Sequence, residues 1–172
     1  LTAGVAVYRS WIVRTGRRPD MVAGHSLGEY AALVAAGVLA LADAVPLVRL
    51  RAQAMQDAVP AGTGAMAAVL GLDAAAVQAC CNDAAQGRIV SAVNFNSPEQ
   101  TVIAGHAEAV TRAMTLLSER GAKRTVALPV SAPFHCALMQ PAAARLAEAL
   151  PKVAFARPTI TLINNVDVAS PD

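Results

Sequence analysis

The sequence predicts an α/β fold in which a small lobe is inserted into a larger core. Two observations predict it. A strand, a tight turn and a helix follow one another over residues 21–36, and short apolar strand patterns alternate with helical patterns over residues 60–130. A chain of 172 residues is long enough for one domain or for two small lobes.

The core is predicted to begin with an amphipathic helix over residues 1–15. Its apolar face would contain Val5, Tyr8, Ile12 and Val13, which recur at helical spacing. This face predicts that the helix packs against the rest of the core.

A short strand and two further helices are predicted next. Residues 21–23 are apolar and follow a turn, residues 30–36 are rich in helix formers, and Gly37 is a helix stop. Another helix is predicted over residues 41–58, and the Pro and Gly residues within 60–64 indicate a linker.

The middle of the chain predicts a βαββαβ lobe over residues 60–130, with the order of a ferredoxin-like unit. Its predicted elements are strand 65–70, a helix from Asp73 to about 85, strands 89–95 and 100–104, helix 106–119 and strand 124–130. The core, residues 1–59 and 131–172, would then resume with helix 138–150 and strand 159–164.

A candidate nucleophile elbow follows the first strand, with Gly24 and Gly28 two residues on either side of Ser26. A sharp turn crowds these two positions, so we expect both to need glycine. The turn would expose the Ser26 hydroxyl, and the Leu27 N–H at the start of the helix would be an oxyanion donor. Ordinary strand-to-helix turns can have the same pattern, so a structural turn is the alternative.

A nucleophilic serine needs a base, and His135 is favoured among the three histidines. His135 follows Pro133 in a loop where the chain returns from the lobe to the core. His25 adjoins Ser26 and is expected to support the turn. His106 is expected to be an exposed residue at a helix start.

Arg51 lies on the predicted helix after the elbow helix. It is interpreted either as a solvated helix arginine or as a bidentate clamp on a substrate carboxylate. The residues around it favour the solvated arginine.

Composition and charge exclude several classes of function. The net charge is +2 with no basic stripe, which argues against nucleic-acid binding, and the apolar run 31–42 is too short to span a bilayer. The odd number of cysteines (Cys80, Cys81 and Cys136) fits a reducing cytoplasm. The sequence has no paired Cys/His spacing of the kind that binds a metal, so no metal site is predicted.

Several separated segments closely resemble the malonyl-CoA:acyl-carrier-protein transacylase family of bacterial fatty-acid synthesis. The segments are 24–30 (GHSLGEY), Arg51 with Met55 and Gln56, 62–66 (GTGAM), 93–98 (VNFNSP), 131–139 (SAPFHCALM) and 164–167 (NNVD). The resemblance runs almost from end to end and implies an α/β-hydrolase-like core with an inserted ferredoxin-like lobe.

The resemblance also implies roles for individual residues. Ser26 would be the nucleophile, His135 its base, and Arg51 the residue that binds the free carboxylate of the malonyl group. In related acyltransferases, a phenylalanine directly before the catalytic histidine accompanies a preference for malonyl over methylmalonyl substrates, and Phe134 occupies that position. Met55 would also bind the substrate.

The implied reaction is ping-pong transfer of a malonyl group from CoA to the phosphopantetheine thiol of acyl carrier protein. Transfer from a thioester to an ester and back to a thioester needs no metal and no redox cofactor, and malonyl-CoA is a substrate and not a cofactor. We expect a cytoplasmic protein that is a monomer. The resemblance covers a central portion of the family, without the segments that supply a second oxyanion donor and orient the histidine, so these residues alone are expected to be inactive or poorly folded.

Two other functions stay open. A serine thioesterase or esterase would share the elbow and the base, but it would have no carboxylate for Arg51 to bind. A non-catalytic docking module for a carrier protein would not become acylated on Ser26.

Overall fold

The structure is a computed structural model that describes residues 1–170. The helices are α1 (Thr2–Thr15), α2 (Leu27–Ala35), α3 (Leu41–Asp57), α4 (Ala74–Ala85), α5 (Ala107–Glu119) and α6 (Gln140–Ala149). The strands are β1 (Met21–Ala23), β2 (Gly64–Leu70), β3 (Val90–Ser97), β4 (Gln100–His106), β5 (Arg124–Ala127) and β6 (Thr161–Ile163). The fold is mixed α/β, with one parallel strand pair and one antiparallel sheet.

The chain divides into two compact units. Unit 1 comprises Leu1–Ala52 with Leu146–Asp172, and unit 2 comprises Gln53–Arg145. Unit 2 is longer at both ends than the predicted lobe, 60–130. The physical reason is one buried cluster that joins the end of α3 to the segment after β5: Ala54, Met55, Ala132, Met139 and Ala142.

Helix α1 follows its predicted bounds, but its buried face is narrower than predicted. Val5 is buried and Tyr8 and Ile12 are half-buried, whereas Val13 is 85% exposed. Val13 follows Ile12 by one residue and is therefore rotated about 100° away from it. The prediction that Val13 belongs to the packed face is wrong.

The parallel pair β1 and β6 positions the turn that follows β1. Ala23, the last residue of β1, pairs with Ile163, the last residue of β6. Because the strands are parallel, the segments that leave their carboxyl ends emerge at the same edge. Ser26 and the residues after Ile163 are therefore neighbours.

Unit 2 has the predicted βαββαβ order of elements. Its sheet has the strand order β3-β4-β2-β5, and every neighbouring pair is antiparallel. One face of β2, with Ala67 and Val69, packs in the cluster that includes residues of α4 and α5. Met66, on the other face, clusters with Cys136. The second face therefore supports the loop that contains His135.

His106 lies at the start of α5 as its N-cap residue, as predicted, and it is also the last residue of β4. Its Nδ1 accepts a hydrogen bond from the Ile89 N–H at 3.0 Å, and its own N–H donates to the Ile89 carbonyl at 2.8 Å. The side chain is half-buried, so the predicted exposure is wrong. His106 caps the ladder between β3 and β4.

Strand ends differ from the predictions where the partner strand decides them. The predicted strand 124–130 pairs with β2 over residues 124–127, followed by one hydrogen bond from the Leu128 N–H to the Met66 carbonyl at 2.9 Å. The predicted strand 159–164 pairs with β1 only over 161–163. Apolar residues continue beyond the paired residues because an apolar side chain can be buried by packing without its backbone pairing with another strand.

The Thr101 side chain on β4 is fully buried, and among residues 1–170 its hydroxyl has no hydrogen-bond partner. Replacing it with valine keeps the shape and removes this unsatisfied group. We expect Thr101→Val to raise the free energy of unfolding by about 1 kcal/mol, measured by urea denaturation. Thr111→Val is the control, because the Thr111 hydroxyl donates to the Ala107 carbonyl at 2.9 Å. An equal gain in both variants would contradict the explanation.

The three cysteines are buried and free of disulfide bonds. Within residues 1–170, no helix combines the length and apolar character needed to cross a membrane. The same residues contain no group of three or more His, Cys, Asp or Glu side chains arranged to hold a metal ion.

Burial raises the pKa of the Cys81 thiol from 9.0 to about 12, and neighbouring Cys80 adds to the shift. The unfolded chain therefore loses this proton at a lower pH than the folded chain. We expect this thiol to lower the free energy of unfolding as the pH rises from about 9 to about 12. Urea denaturation of wild type and Cys81→Ala at pH 8 and pH 10 measures it. The wild type should lose more stability than the variant, and parallel losses would contradict the prediction.

Candidate active site

Ser26 lies in a strained turn between β1 and α2. Its backbone has φ 52° and ψ −109°, a conformation that side-chain-bearing residues rarely adopt. Ser26 is the N-cap residue of α2, and its side chain makes no capping hydrogen bond. The turn therefore presents the hydroxyl at the positive end of a helix.

The two glycines of the elbow are not equivalent. A Cβ at Gly24 would overlap the backbone carbonyl of Gly28 and the Glu29 nitrogen, so this position requires glycine. A Cβ at Gly28 would have no heavy atom within 4 Å. The predicted need for glycine is confirmed at Gly24 and is wrong at Gly28. The backbone of Gly28 lies against the Cβ position of Gly24, but the Cβ position of Gly28 itself is open.

Arg51 lies beside Ser26. Its Nη2 donates a hydrogen bond to Ser26 Oγ at 2.9 Å, and its guanidinium carbon lies 5.8 Å from the centre of the Tyr30 ring. Burial raises the pKa of Tyr30, the Arg51 charge lowers it by less, and Glu29 raises it. Tyr30 is therefore a neutral ring beside the guanidinium, which is half-buried rather than freely solvated.

Leu27 is the first residue of α2, directly after Ser26. The first N–H groups of a helix have no acceptor within the helix itself. The Leu27 N–H thus occupies the position that an oxyanion donor needs, next to the serine and at the helix N-terminus.

Asn165 was not assigned a role from the sequence, although it belongs to the 164–167 segment. Its side-chain Oδ1 accepts a hydrogen bond from the Ser26 N–H at 2.8 Å, and its own N–H donates to Glu29 Oε1 at 3.2 Å. These contacts join residues more than 130 positions apart in the chain. No local pattern signals such a contact.

His135 lies in a loop of unit 2 between β5 and α6, and it has a positive φ of 68°. The loop is closed on both sides of it. The Phe134 N–H donates to the Ala132 carbonyl at 3.0 Å, and Cys136 Sγ donates to the Pro133 carbonyl at 3.1 Å. His135 is exposed, so its ring is presented by a constrained backbone.

Cys136 adjoins His135 but is not suited to act as a nucleophile. Burial raises the pKa of its thiol, and hydrogen bonds with backbone groups of Leu138 and Cys136 itself lower it by less. A protonated thiol is a poor nucleophile. Cys136 instead holds the loop through its hydrogen bond to Pro133.

The loop with His135 also depends on Gly64, the first residue of β2. A Cβ at Gly64 would overlap the ring of Pro133, which is fully buried. Gly64 therefore lets Pro133 approach the strand closely, two residues before His135.

Phe134 and Met55 share one cluster in unit 2. Met55 is only 8% exposed, and the half-buried Phe134 packs against the cluster to which it belongs. Met55 is therefore a core residue that supports Phe134. Within unit 1 the structure brings Ser26, Leu27 and Arg51 together.

The sequence matches a family model described as the acyl transferase domain over residues 2–171. The malonyl CoA-acyl carrier protein transacylase of Escherichia coli K12 is 60% identical over 168 residues, which are 98% of this chain and 54% of that protein. The Bacillus subtilis protein of the same name is 47% identical over 167 residues, 96% of this chain and 52% of its own length. The chain thus spans about half the length of the curated relatives that it matches.

Solved structures of similar proteins have closely similar folds. The malonyl CoA-acyl carrier protein transacylase of Coxiella burnetii aligns with a TM-score of 0.98 at 50% identity, covering 99% of this chain and 54% of that one. A malonyl-transacylase solved in complex with a type II polyketide synthase acyl-carrier protein aligns with a TM-score of 0.96 at 52% identity, covering 99% and 55%.

Proposed function

Because the chain belongs to the acyl transferase domain family, we propose that it carries a serine-based site that moves a malonyl group from CoA to acyl carrier protein. The observation that carries the proposal is the hydrogen bond from Arg51 to Ser26 Oγ at 2.9 Å. It combines a candidate nucleophile with a cation that can bind an acidic acyl group. The reaction serves fatty-acid synthesis in the cytoplasm.

The malonyl specificity follows from the position of Arg51. When Ser26 Oγ is bonded to the acyl carbon, the free carboxylate of a malonyl group is only two bonds farther along. A guanidinium within hydrogen-bond distance of Oγ is therefore within reach of that carboxylate, and it can bind both oxygens. An acetyl group offers no such partner.

The proposed reaction has two half-reactions. His135 removes the Ser26 proton, Ser26 Oγ attacks the malonyl thioester, and the C–S bond breaks to release CoA as a thiol. His135 then takes the proton of the carrier protein's phosphopantetheine thiol, and the sulfur attacks the acyl carbon of the malonyl-serine ester. The bond between that carbon and Ser26 Oγ breaks, and His135 returns the proton to Ser26 Oγ. The Leu27 N–H donates to the oxyanion in both halves.

Phe134 is proposed to limit the size of the acyl group. Its ring sits next to His135 in the sequence and is supported by the cluster that contains Met55. A rigid ring at this position would oppose an α-methyl group on the substrate. Met55 would act through this support and not by touching the substrate.

The finer architecture is also part of the proposal. The elbow after β1 and the parallel pairing of β1 with β6 support an α/β-hydrolase-like core over residues 1–59 and 131–172. The strand order β3-β4-β2-β5 with two crossing helices supports a ferredoxin-like lobe over residues 60–130.

A serine thioesterase or esterase is the second candidate, since it would use the same elbow and base. The half-buried Arg51 against Ser26 Oγ favours transfer of an acidic acyl group, because a hydrolase of neutral esters has no use for a cation there. The acceptor, water or a carrier thiol, distinguishes the two functions.

Intact-mass spectrometry of the complete protein after incubation with malonyl-CoA tests the function. We expect a malonyl adduct on the peptide that contains Ser26, absent in Ser26→Ala, and rapid discharge of it by holo acyl carrier protein. Discharge by water at the same rate would favour the hydrolase. A wild-type protein with no adduct would exclude malonyl transfer.

A further inference from the structure

The residues around Ser26 have the spacing of a helix capping box. In the pattern Ser-x-x-Glu, here Ser26 and Glu29, the serine Oγ usually accepts from the N–H of the glutamate. The glutamate carboxylate in turn accepts from the serine N–H. That arrangement would occupy the hydroxyl that a nucleophile needs.

The structure shows a different arrangement at α2. The Ser26 side chain makes no capping bond, and the Glu29 N–H donates to the Ser26 main-chain oxygen at 3.2 Å. The Ser26 N–H donates to Asn165 Oδ1 at 2.8 Å, while the Glu29 carboxylate accepts from the Asn165 N–H at 3.2 Å. Asn165 therefore replaces the direct hydrogen bond of a capping box between the Ser26 N–H and the Glu29 carboxylate.

We propose that Asn165 and Glu29 are positioning residues that keep the Ser26 hydroxyl out of helix capping and available for acylation. The Asn165 Oδ1 accepts the hydrogen bond from the Ser26 N–H, and the Glu29 carboxylate accepts the one from the Asn165 N–H. The Ser26 Oγ can then interact with Arg51 at 2.9 Å. The inference rests on the proposed function, in which this hydroxyl attacks a thioester.

The fold holds Asn165 in place independently of Ser26. Asn165 comes two residues after Ile163, which pairs with Ala23 at the end of β1. The turn is closed by Asn164, whose Oδ1 accepts from the Asp167 N–H at 2.7 Å. The acceptor for the Ser26 N–H is thus set by strand pairing and a closed turn, which is what a positioning role requires.

Removal of the Asn165 side chain should let the ordinary capping box form. In Asn165→Ala, the Glu29 carboxylate can accept from the Ser26 N–H, and the Ser26 Oγ can turn to the Glu29 N–H. The helix stays capped, so the melting temperature should change little. Acylation should slow by about tenfold, because the hydroxyl is now engaged with the backbone.

The test measures single-turnover acylation of the complete protein by malonyl-CoA and, separately, by p-nitrophenyl acetate, a neutral ester. Both acylation rates should fall about tenfold in Asn165→Ala, with saturation by malonyl-CoA unchanged. Asn165→Asp keeps the Oδ1 acceptor and should stay within about threefold of wild type. Asn82→Ala is the matched control, since Asn82 Oδ1 accepts an exposed hydrogen bond from Gln78 on α4.

Three results would overturn the inference: acylation of Asn165→Ala at the wild-type rate, a melting temperature several degrees lower, or equal losses in Asn165→Ala and Asn165→Asp. The two esters separate this inference from the proposed function. If malonyl-CoA does not acylate the wild type but p-nitrophenyl acetate does, the proposed function fails. The Asn165 variants then still decide the positioning role.

Discussion

Arg51→Ala is expected to lower kcat/KM for malonyl-CoA by about 10³-fold, because a charge-assisted bidentate pair in a half-buried site is lost. The Arg51 guanidinium lies 2.9 Å from Ser26 Oγ and against the Tyr30 ring, so no other cation of that helix replaces it. Acylation by acetyl-CoA should change by much less, since acetyl has no carboxylate. Steady-state kinetics with both thioesters measures the change in preference.

Two further variants sharpen this prediction. Arg49→Ala removes an exposed arginine from the same helix and should leave malonyl transfer within about twofold. Arg51→Lys keeps the charge but loses the planar fork, so an intermediate loss is expected. If Arg51→Ala lowered the rates with malonyl-CoA and acetyl-CoA equally, Arg51 would act on Ser26 itself and not on the carboxylate.

Gly24→Ala is expected to lower the free energy of unfolding by about 3 kcal/mol or more and to abolish measurable acylation. The new Cβ would overlap backbone atoms of Gly28 and Glu29, and backbone atoms cannot move aside as a flexible side chain can. The turn would have to open, which moves Ser26 away from the start of α2. Urea denaturation and the malonyl adduct measure the two effects.

Gly28→Ala is the matched control within the same elbow. Its Cβ would meet no heavy atom within 4 Å, and alanine favours helix over glycine, so stability should change by less than about 1 kcal/mol. Equal destabilisation by the two substitutions would show that the elbow needs both glycines. The conclusion that Gly24 requires glycine and Gly28 does not would then be wrong.

Local sequence was sufficient for most helices and for the elbow. Asp73 was predicted to cap α4, and its Oδ1 accepts from the Ala76 N–H at 2.8 Å. Gly37 was predicted to end α2, and it follows the helix with a φ of 76°. Caps and stops depend on backbone sterics and on groups a few residues away, so the pattern contains the necessary information.

Exposure and strand ends were predicted less well. The exposure of Val13 and the burial of His106 depend on which segment packs against each residue, and the end of β5 depends on its pairing with β2. These partners are distant in the chain. A hydrophobic pattern shows that a side chain can be buried, but it does not show what buries it.

The presentation of Ser26 by a strand, a strained turn and a helix follows from local sequence, because the steric requirement at Gly24 and the helix-forming residues after it are local. The side chains that contact that serine are set by the packing of distant segments. Arg51 arrives from α3, and Asn165 arrives from the turn after β6, 139 residues away. Strand pairing and helix packing set these approaches, and spacing along the chain does not encode them.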